Sequence, residues 1–318
     1  MYKSYFGLKD NPFNVNPDPR YLFLTKEIEE ALSGLMYGVQ NRKGFITLIG
    51  EVGTGKTTLI NRLVEWLHQQ KVQTAFLFNS RMNTNQLFDF ILAEFGIACA
   101  SRSKSQQLMS LNQWLLERYR AGETAVLIVD EAQNLTHAVL EEIRLLTNLE
   151  TSTEKLLQIV LAGQQELEEK LKLPQLRQLR QRIMLRCKTA PLTKDQTRDY
   201  IAERLRIAGA AADGQPIFSL AAIETIHLYS MGIPRVVNLL CEHGLINAYV
   251  EQQRPIQPKI IEDVAREFQL DQVEPIATPE SIRTSAELYN SEVFIQNLGE
   301  ALSRFRLSPH GPSSRERK

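Results

Sequence analysis

The sequence predicts an α/β protein: a parallel sheet covered on both faces by helices, followed by a smaller all-helical domain. Three observations carry that expectation. Short apolar, β-rich runs alternate with amphipathic stretches of helical period up to about residue 190, the pattern of repeated βαβ units. Beyond Pro191 only helical patterns remain. Between the first apolar run and the helix after it lies a glycine-rich turn, residues 50–58, at the place where parallel α/β sheets bind phosphate.

In chain order, a helix over 26–39 precedes a strand over 45–49, whose run Phe-Ile-Thr-Leu-Ile suits burial on both faces. A helix over 57–70 follows the glycine-rich turn. Strands are then predicted over 74–78, 125–129, 158–162 and, in a shorter and more charged run, 185–188. Helices over 84–95, 106–121 and 140–149 separate them, each with apolar residues near a 3.6-residue period. Four helical patterns follow over 194–208, 219–231, 234–251 and 258–268, punctuated by Gly232, Pro234 and the 253–258 stretch. The reading divides the chain into an α/β core over 1–190, a helical domain over 191–270, and a linker and tail over 271–318. In the tail, Leu288, Ile295, Leu298, Leu302 and Phe305 recur at helical spacing over 280–305, after Pro275 and Pro279. Such a stripe suits docking on the helical domain or in the groove of a partner protein.

Composition sets limits on function. Lys+Arg and Asp+Glu both total 37 in 318 residues, so no global field draws the chain to nucleic acid or anionic lipid. Cys99, Cys187 and Cys241 lie far apart and the five histidines are scattered, which argues against a disulfide framework or a zinc site. No window approaches the roughly 18 apolar residues of a membrane span, and the opening MYKSYFGLKDNPF has no apolar core of a signal peptide. A reducing cytoplasm is the expected location.

Chemistry concentrates at the ends of the apolar runs. Gly50, Glu51, Val52, Gly53, Thr54, Gly55, Lys56, Thr57 and Thr58 match the phosphate-loop pattern in full. Glycines let backbone N–H groups turn inward around a phosphate, Lys56 meets its charge, and Thr57 offers a hydroxyl to Mg²⁺. About 75 residues on, the run Ala125–Val129 ends in Asp130 and Glu131. Asp130 suits Mg²⁺ binding, and Glu131 suits polarising the water that attacks the γ-phosphate of ATP. The run over 158–164 ends in Gln164, which would stand beside that phosphate and water. The intervening strand over 74–78 ends in Asn79, read either as a partner of Glu131 or as an ordinary turn residue. Between Lys172 and Lys188 lie Arg177, Arg180, Arg182 and Arg186 with no acid among them. That stretch is a solvated face, an anionic-polymer contact or the source of an arginine for a neighbouring subunit's site. Arg235 opens a later helix behind Pro234.

These residues resemble the AAA+ ATPases, and within them the bacterial ExeA (general secretion pathway protein A) type, over roughly 1–270. Beside GEVGTGKTT and VDEAQ, the specific marks are YFGLKDNPFNVNPDPRYLFL, VLAGQQEL, LRQLRQRI and GIPRVVN. The resemblance implies ATP and Mg²⁺ as ligands, a ring or filament of identical subunits, and a helical lid. It implies that Gln164 is at the sensor-1 position, Arg182 or Arg180 at the arginine finger, and Arg235 at sensor 2, with the opening segment around the adenine. Conformational work in secretion, pilus, exopolysaccharide or cell-envelope assembly is the function implied. ExeA is a longer, membrane-anchored design, and this chain shows neither that anchor nor a peptidoglycan-binding part, so contact with the inner membrane is expected only through a partner. TniB-type transposition regulators are also similar, which makes an ATP-dependent DNA-binding regulator the alternative. A non-hydrolysing ATP-gated scaffold is a third reading, opposed by the two complete acids at the strand end.

Overall fold

The computed structural model describes residues 1–270 apart from 15, 17, 79–81, 101–102 and 212–214. Asn79 and the tail over 271–318, with its helical pattern, lie outside the described residues.

The described chain runs α1 (Tyr2–Phe6), α2 (Lys26–Gln40), β1 (Phe45–Ile49), α3 (Lys56–His68), β2 (Val72–Leu77), α4 (Thr84–Glu94), α5 (Lys104–Arg120), β3 (Thr124–Val129), α6 (His137–Leu146), β4 (Leu157–Gly163), α7 (Gln165–Lys172), α8 (Arg177–Arg182) and β5 (Leu185–Lys188). Four helices follow: α9 (Lys194–Ile207), α10 (Leu220–Ser230), α11 (Pro234–Val250) and α12 (Pro258–Glu267). Side chains cap several starts, and each cap satisfies N–H groups that a first helical turn leaves without partners. Thr25, Thr136 and Ser219 accept from the third residue of α2, α6 and α10, and Asn83 and Thr193 form capping boxes with Gln86 and Gln196. Three helices carry no predicted counterpart. α1 and α8 have five and six residues, and α7 buries only Leu167 and Leu171, so none shows a clear period.

All five strands are parallel, in the order β2-β3-β4-β1-β5. Alternation along each strand divides the core between two faces. Phe45, Ile49, Leu127 and Val129 meet α4 to α8, while Ile46, Leu48, Val126 and Ile128 meet α2 and α3. β2 begins two residues earlier than predicted because Val72 is only partly buried and Gln73 is exposed, which breaks the apolar run. The helices after β5 share a third cluster built on Ile226, Leu240, Leu245 and Ile261. Phe6, Leu8 and Phe13 belong to that cluster, so the first residues pack among the last helices and not on the sheet. Residues Met1–Asp271 form one compact unit.

A parallel sheet brings every carboxyl end to the same edge. With β4 between β3 and β1, the residues that follow β1, β3 and β4 are immediate neighbours there. That edge holds the site.

Candidate phosphate-binding site

The loop between β1 and α3 turns on Gly53 (φ 79°) and Gly55 (φ 93°), left-handed conformations that glycine adopts without steric cost. Gly50 is required for space: a Cβ there would lie 1.9 Å from Thr189 Oγ1. Thr54 Oγ1 donates to the Glu51 carbonyl at 2.8 Å and pairs with Thr189 Oγ1 at 2.7 Å, so the Thr189 hydroxyl supplies the proton of that second bond. The residue after β5 thereby braces the loop. Gly55 precedes α3 and gives it no side-chain cap, which leaves the amino end of a 13-residue helix open to an anion. Lys56 is buried, and its Nζ donates to the carbonyls of Gly50 and Glu51, each at 2.9 Å. Burial holds its pKa below the ordinary lysine value, opposed by the charges of Glu131, Asp130, Glu166 and Glu51. A cation whose hydrogen bonds among the described residues go to carbonyls, beside an uncapped helix start, fits a phosphate chain.

Asp130 is 5% exposed and receives the Thr57 hydroxyl at 3.3 Å and the Glu131 N–H at 2.8 Å. Burial raises its carboxyl pKa to about 6, and the Glu131 charge adds to the rise, while Lys56 and the two hydrogen bonds oppose it. An oxygen pair from Thr57 and Asp130, held together and short of positive charge, fits a hard divalent cation such as Mg²⁺.

Glu131 has φ 52° and ψ 36°, a left-handed conformation that is uncommon for a non-glycine residue. The bend turns its side chain out of the strand direction. Its Oε2 accepts Gln164 Nε2 at 3.0 Å and also Gln133 Nε2. Gln133 Oε1 in turn accepts the Gln164 N–H at 3.1 Å. The structure therefore brings together Lys56, Thr57, Asp130, Glu131 and Gln164.

Arg235 opens α11, whose start rests on the loop. Arg182 is partly exposed and donates to Asn148 Oδ1 at 3.1 Å. Arg180 instead lines a cavity of about 340 Å³ with Lys172, Arg186, Lys188 and Glu168. The basic stretch is less free than its sequence implies, because α7 supplies acids: Lys188 pairs with Glu168 at 3.2 Å and Lys172 with Glu169 at 2.7 Å. Sequence reasoning missed Gln133, Thr189 and Lys170, whose Nζ donates to the carbonyls of Gln133 and Leu135. The only signal for Gln133 was its place in the VDEAQ run.

A family model described as "AAA domain" matches residues 39–171. Over 257 residues, 80% of this chain, the sequence is 42% identical to General secretion pathway protein A of Aeromonas hydrophila. The chain carries an AAA domain and is a relative of the ExeA-type AAA+ ATPases. It covers 46% of that relative, so it spans about half the relative's length. Solved structures show the same fold. Cdc6p from Pyrobaculum aerophilum superposes with a TM-score of 0.62 at 18% identity, covering 82% of this chain and 71% of that one. The Aeropyrum pernix ORC2 protein in its ADP form gives 0.59 at 16% identity, covering 96% and 87%. In this AAA+ chain the five-stranded parallel sheet precedes four helices, as the sequence predicted. Among the described residues, no helix is long and apolar enough to cross a membrane.

Proposed function

We propose that the chain hydrolyses ATP and couples the reaction to conformational work in an oligomer. The observation that carries this reading is the carboxylate of Glu131, bent out of its strand and tied to Gln164 beside Lys56 and the Thr57–Asp130 pair. Binding alone requires the loop and the cation. An oriented carboxylate next to them serves hydrolysis. In this reading Gly50 to Thr58 cradle the phosphates, Lys56 meets their charge, and Thr57 and Asp130 hold Mg²⁺, which supplies charge neutralisation when bound. Glu131 takes the proton of the attacking water, and Gln164 orients it. Arg235 reports the γ-phosphate to the lid over 191–270, and Arg182 completes a neighbouring subunit's site. Asn79, outside the described residues, has the proposed role of a hydrogen-bond partner that holds Glu131 off until a ligand arrives.

The deciding experiment compares ATP turnover and nucleotide binding in Lys56→Ala and Glu131→Gln. Lys56→Ala should weaken binding, whereas Glu131→Gln should retain binding and lower turnover by about a hundredfold or more. Equal turnover in Glu131→Gln and the unaltered chain would remove Glu131 from the chemistry.

The Aeromonas relative is a general secretion pathway protein, which supports work in secretion; in this reading the work extends to envelope assembly, and partner proteins link the chain to the inner membrane. A second reading, contact with DNA, is favoured by the cavity lined by Lys172, Arg180, Arg186 and Lys188. Duplex binding that weakens steeply with salt would support it.

A further inference from the structure

We infer that Gln133 is a positioning residue for hydrolysis: it locks the Glu131 carboxylate to the exit of β4. This rests on the proposed role of Glu131 as the water-activating group and names what holds that group in place.

The hydrogen bonds form a closed ring. Gln133 Nε2 donates to Glu131 Oε2, Gln133 Oε1 accepts the Gln164 backbone N–H at 3.1 Å, and Gln164 Nε2 returns to the same Glu131 oxygen at 3.0 Å. Gln164 alone would leave the carboxylate on the end of one flexible side chain. Gln133 adds a link to main chain, which cannot rotate away. Among the described residues, both side-chain donors fall on Oε2, so the carboxylate is anchored through one oxygen and offers Oε1 to a water. A carboxyl group fixed through one oxygen keeps a defined orientation for the other, which is what proton transfer from a positioned water needs.

Gln133 is itself held from three directions. Lys170, on α7, donates to the carbonyls of Gln133 and Leu135. Ala132 is fully buried in the core beside it. Gly163, the last residue of β4, leaves room for its amide, since a Cβ there would lie 2.9 Å from Gln133 Oε1. An amide is the one side-chain group of this length that both donates to a carboxylate and accepts from an N–H. Glutamate keeps the length and loses the donor, and methionine keeps the length and loses both bonds.

The test uses the full chain at one protein concentration and measures kcat, KM for ATP, ADP affinity and Tm for Gln133→Met, Gln133→Glu, Glu131→Gln and the double variant Glu131→Gln/Gln133→Met. Both Gln133 variants should lose on the order of tenfold to a hundredfold in kcat, with KM and ADP affinity within about twofold of the unaltered chain. The double variant should turn over no more slowly than Glu131→Gln alone, because Gln133 acts only through Glu131. Additive losses, or wild-type kcat in either Gln133 variant while Glu131→Gln is crippled, would overturn the inference and leave the role of Glu131 standing. Full turnover in Glu131→Gln would instead overturn that role, and this inference with it. Should Gln133→Met melt early, Gln133→Glu, of equal size but charged, decides by the same kcat criterion.

Discussion

The backbone N–H of Arg235 donates to the carbonyl of Gly53 at 3.2 Å, so the first turn of α11 sits directly on the phosphate loop. A Cβ on Gly53 would lie 2.8 Å from Arg235 Cβ and 3.0 Å from Ile233 Cγ2. Any shift of the loop at Gly53 therefore has to move α11.

Gly53→Ala should separate the two, because alanine is strained at φ 79° and also collides with Arg235. Nucleotide titrations should show ATP affinity reduced by about tenfold or more, equivalent to about 1.4 kcal/mol. Arg235→Ala should be more selective: ATP binding weakens while ADP binding stays near wild type. Equal losses for both nucleotides would show that Arg235 does not discriminate the γ-phosphate.

Asp130 makes stability depend on pH. Its folded pKa of about 6 exceeds the ordinary 3.8, so the folded state holds the proton more tightly, and stability falls as pH rises through that window. The cost above it is on the order of 3 kcal/mol. Thermal melts without metal or nucleotide should place Asp130→Asn a few degrees above the unaltered chain at neutral pH. The gap should close on acidification below about pH 4, where Asp130 is protonated in both states. A constant gap would assign the stabilisation to something other than the buried charge.

Mixing tests whether sites are shared. Arg182→Ala and Glu131→Gln are each expected to be nearly inactive alone, a trans arginine being worth on the order of 10³-fold. In mixed assemblies some sites pair an intact Glu131 with an intact neighbouring Arg182, so activity should partly return. The Arg182–Asn148 bond must open for this to happen. Arg180→Ala serves as the comparison, since Arg180 lines the basic cavity instead. No recovery at any ratio, with assembly verified, would argue against a shared site.

Lys56 should show the tension between function and stability. Lys56→Met removes a buried ammonium whose partners are carbonyls, so ligand-free Tm should stay level or rise while nucleotide affinity falls. A fall in both would mean that Lys56 holds the loop in shape as well.

Lys56 was legible from its glycine-rich loop, and Asp130, Glu131 and Gln164 because each stands where an apolar run stops abruptly, local patterns that need no knowledge of the fold. Gln133 and Thr189 were not. The bond from Gln133 to Gln164 exists only because β4 lies beside β3, and the bond from Thr189 to Thr54 only because β5 lies beside β1. Strand order is a non-local property that one sequence does not display. The same reason hid the ion pairs of Glu168 and Glu169, since α7 has to fold back against β5 before Glu168 meets Lys188. Helix α7 itself escaped notice because two buried leucines are too few to show a period.

The placement of Phe6, Leu8 and Phe13 among α9 to α12 bears on how the chain is made. A ribosome releases these residues well before their partners: Phe13 meets the ring of Phe218 edge-on at 6.2 Å, and the Pro12 carbonyl accepts from Arg204 Nε, across 192 residues. Closing a loop of that length carries an entropic cost that grows only with the logarithm of its size, about 0.6 kcal/mol per doubling. The contact is thus affordable once α9 to α12 exist, and out of reach before. Until α9 to α12 are in place these aromatic residues lack that cluster's partners.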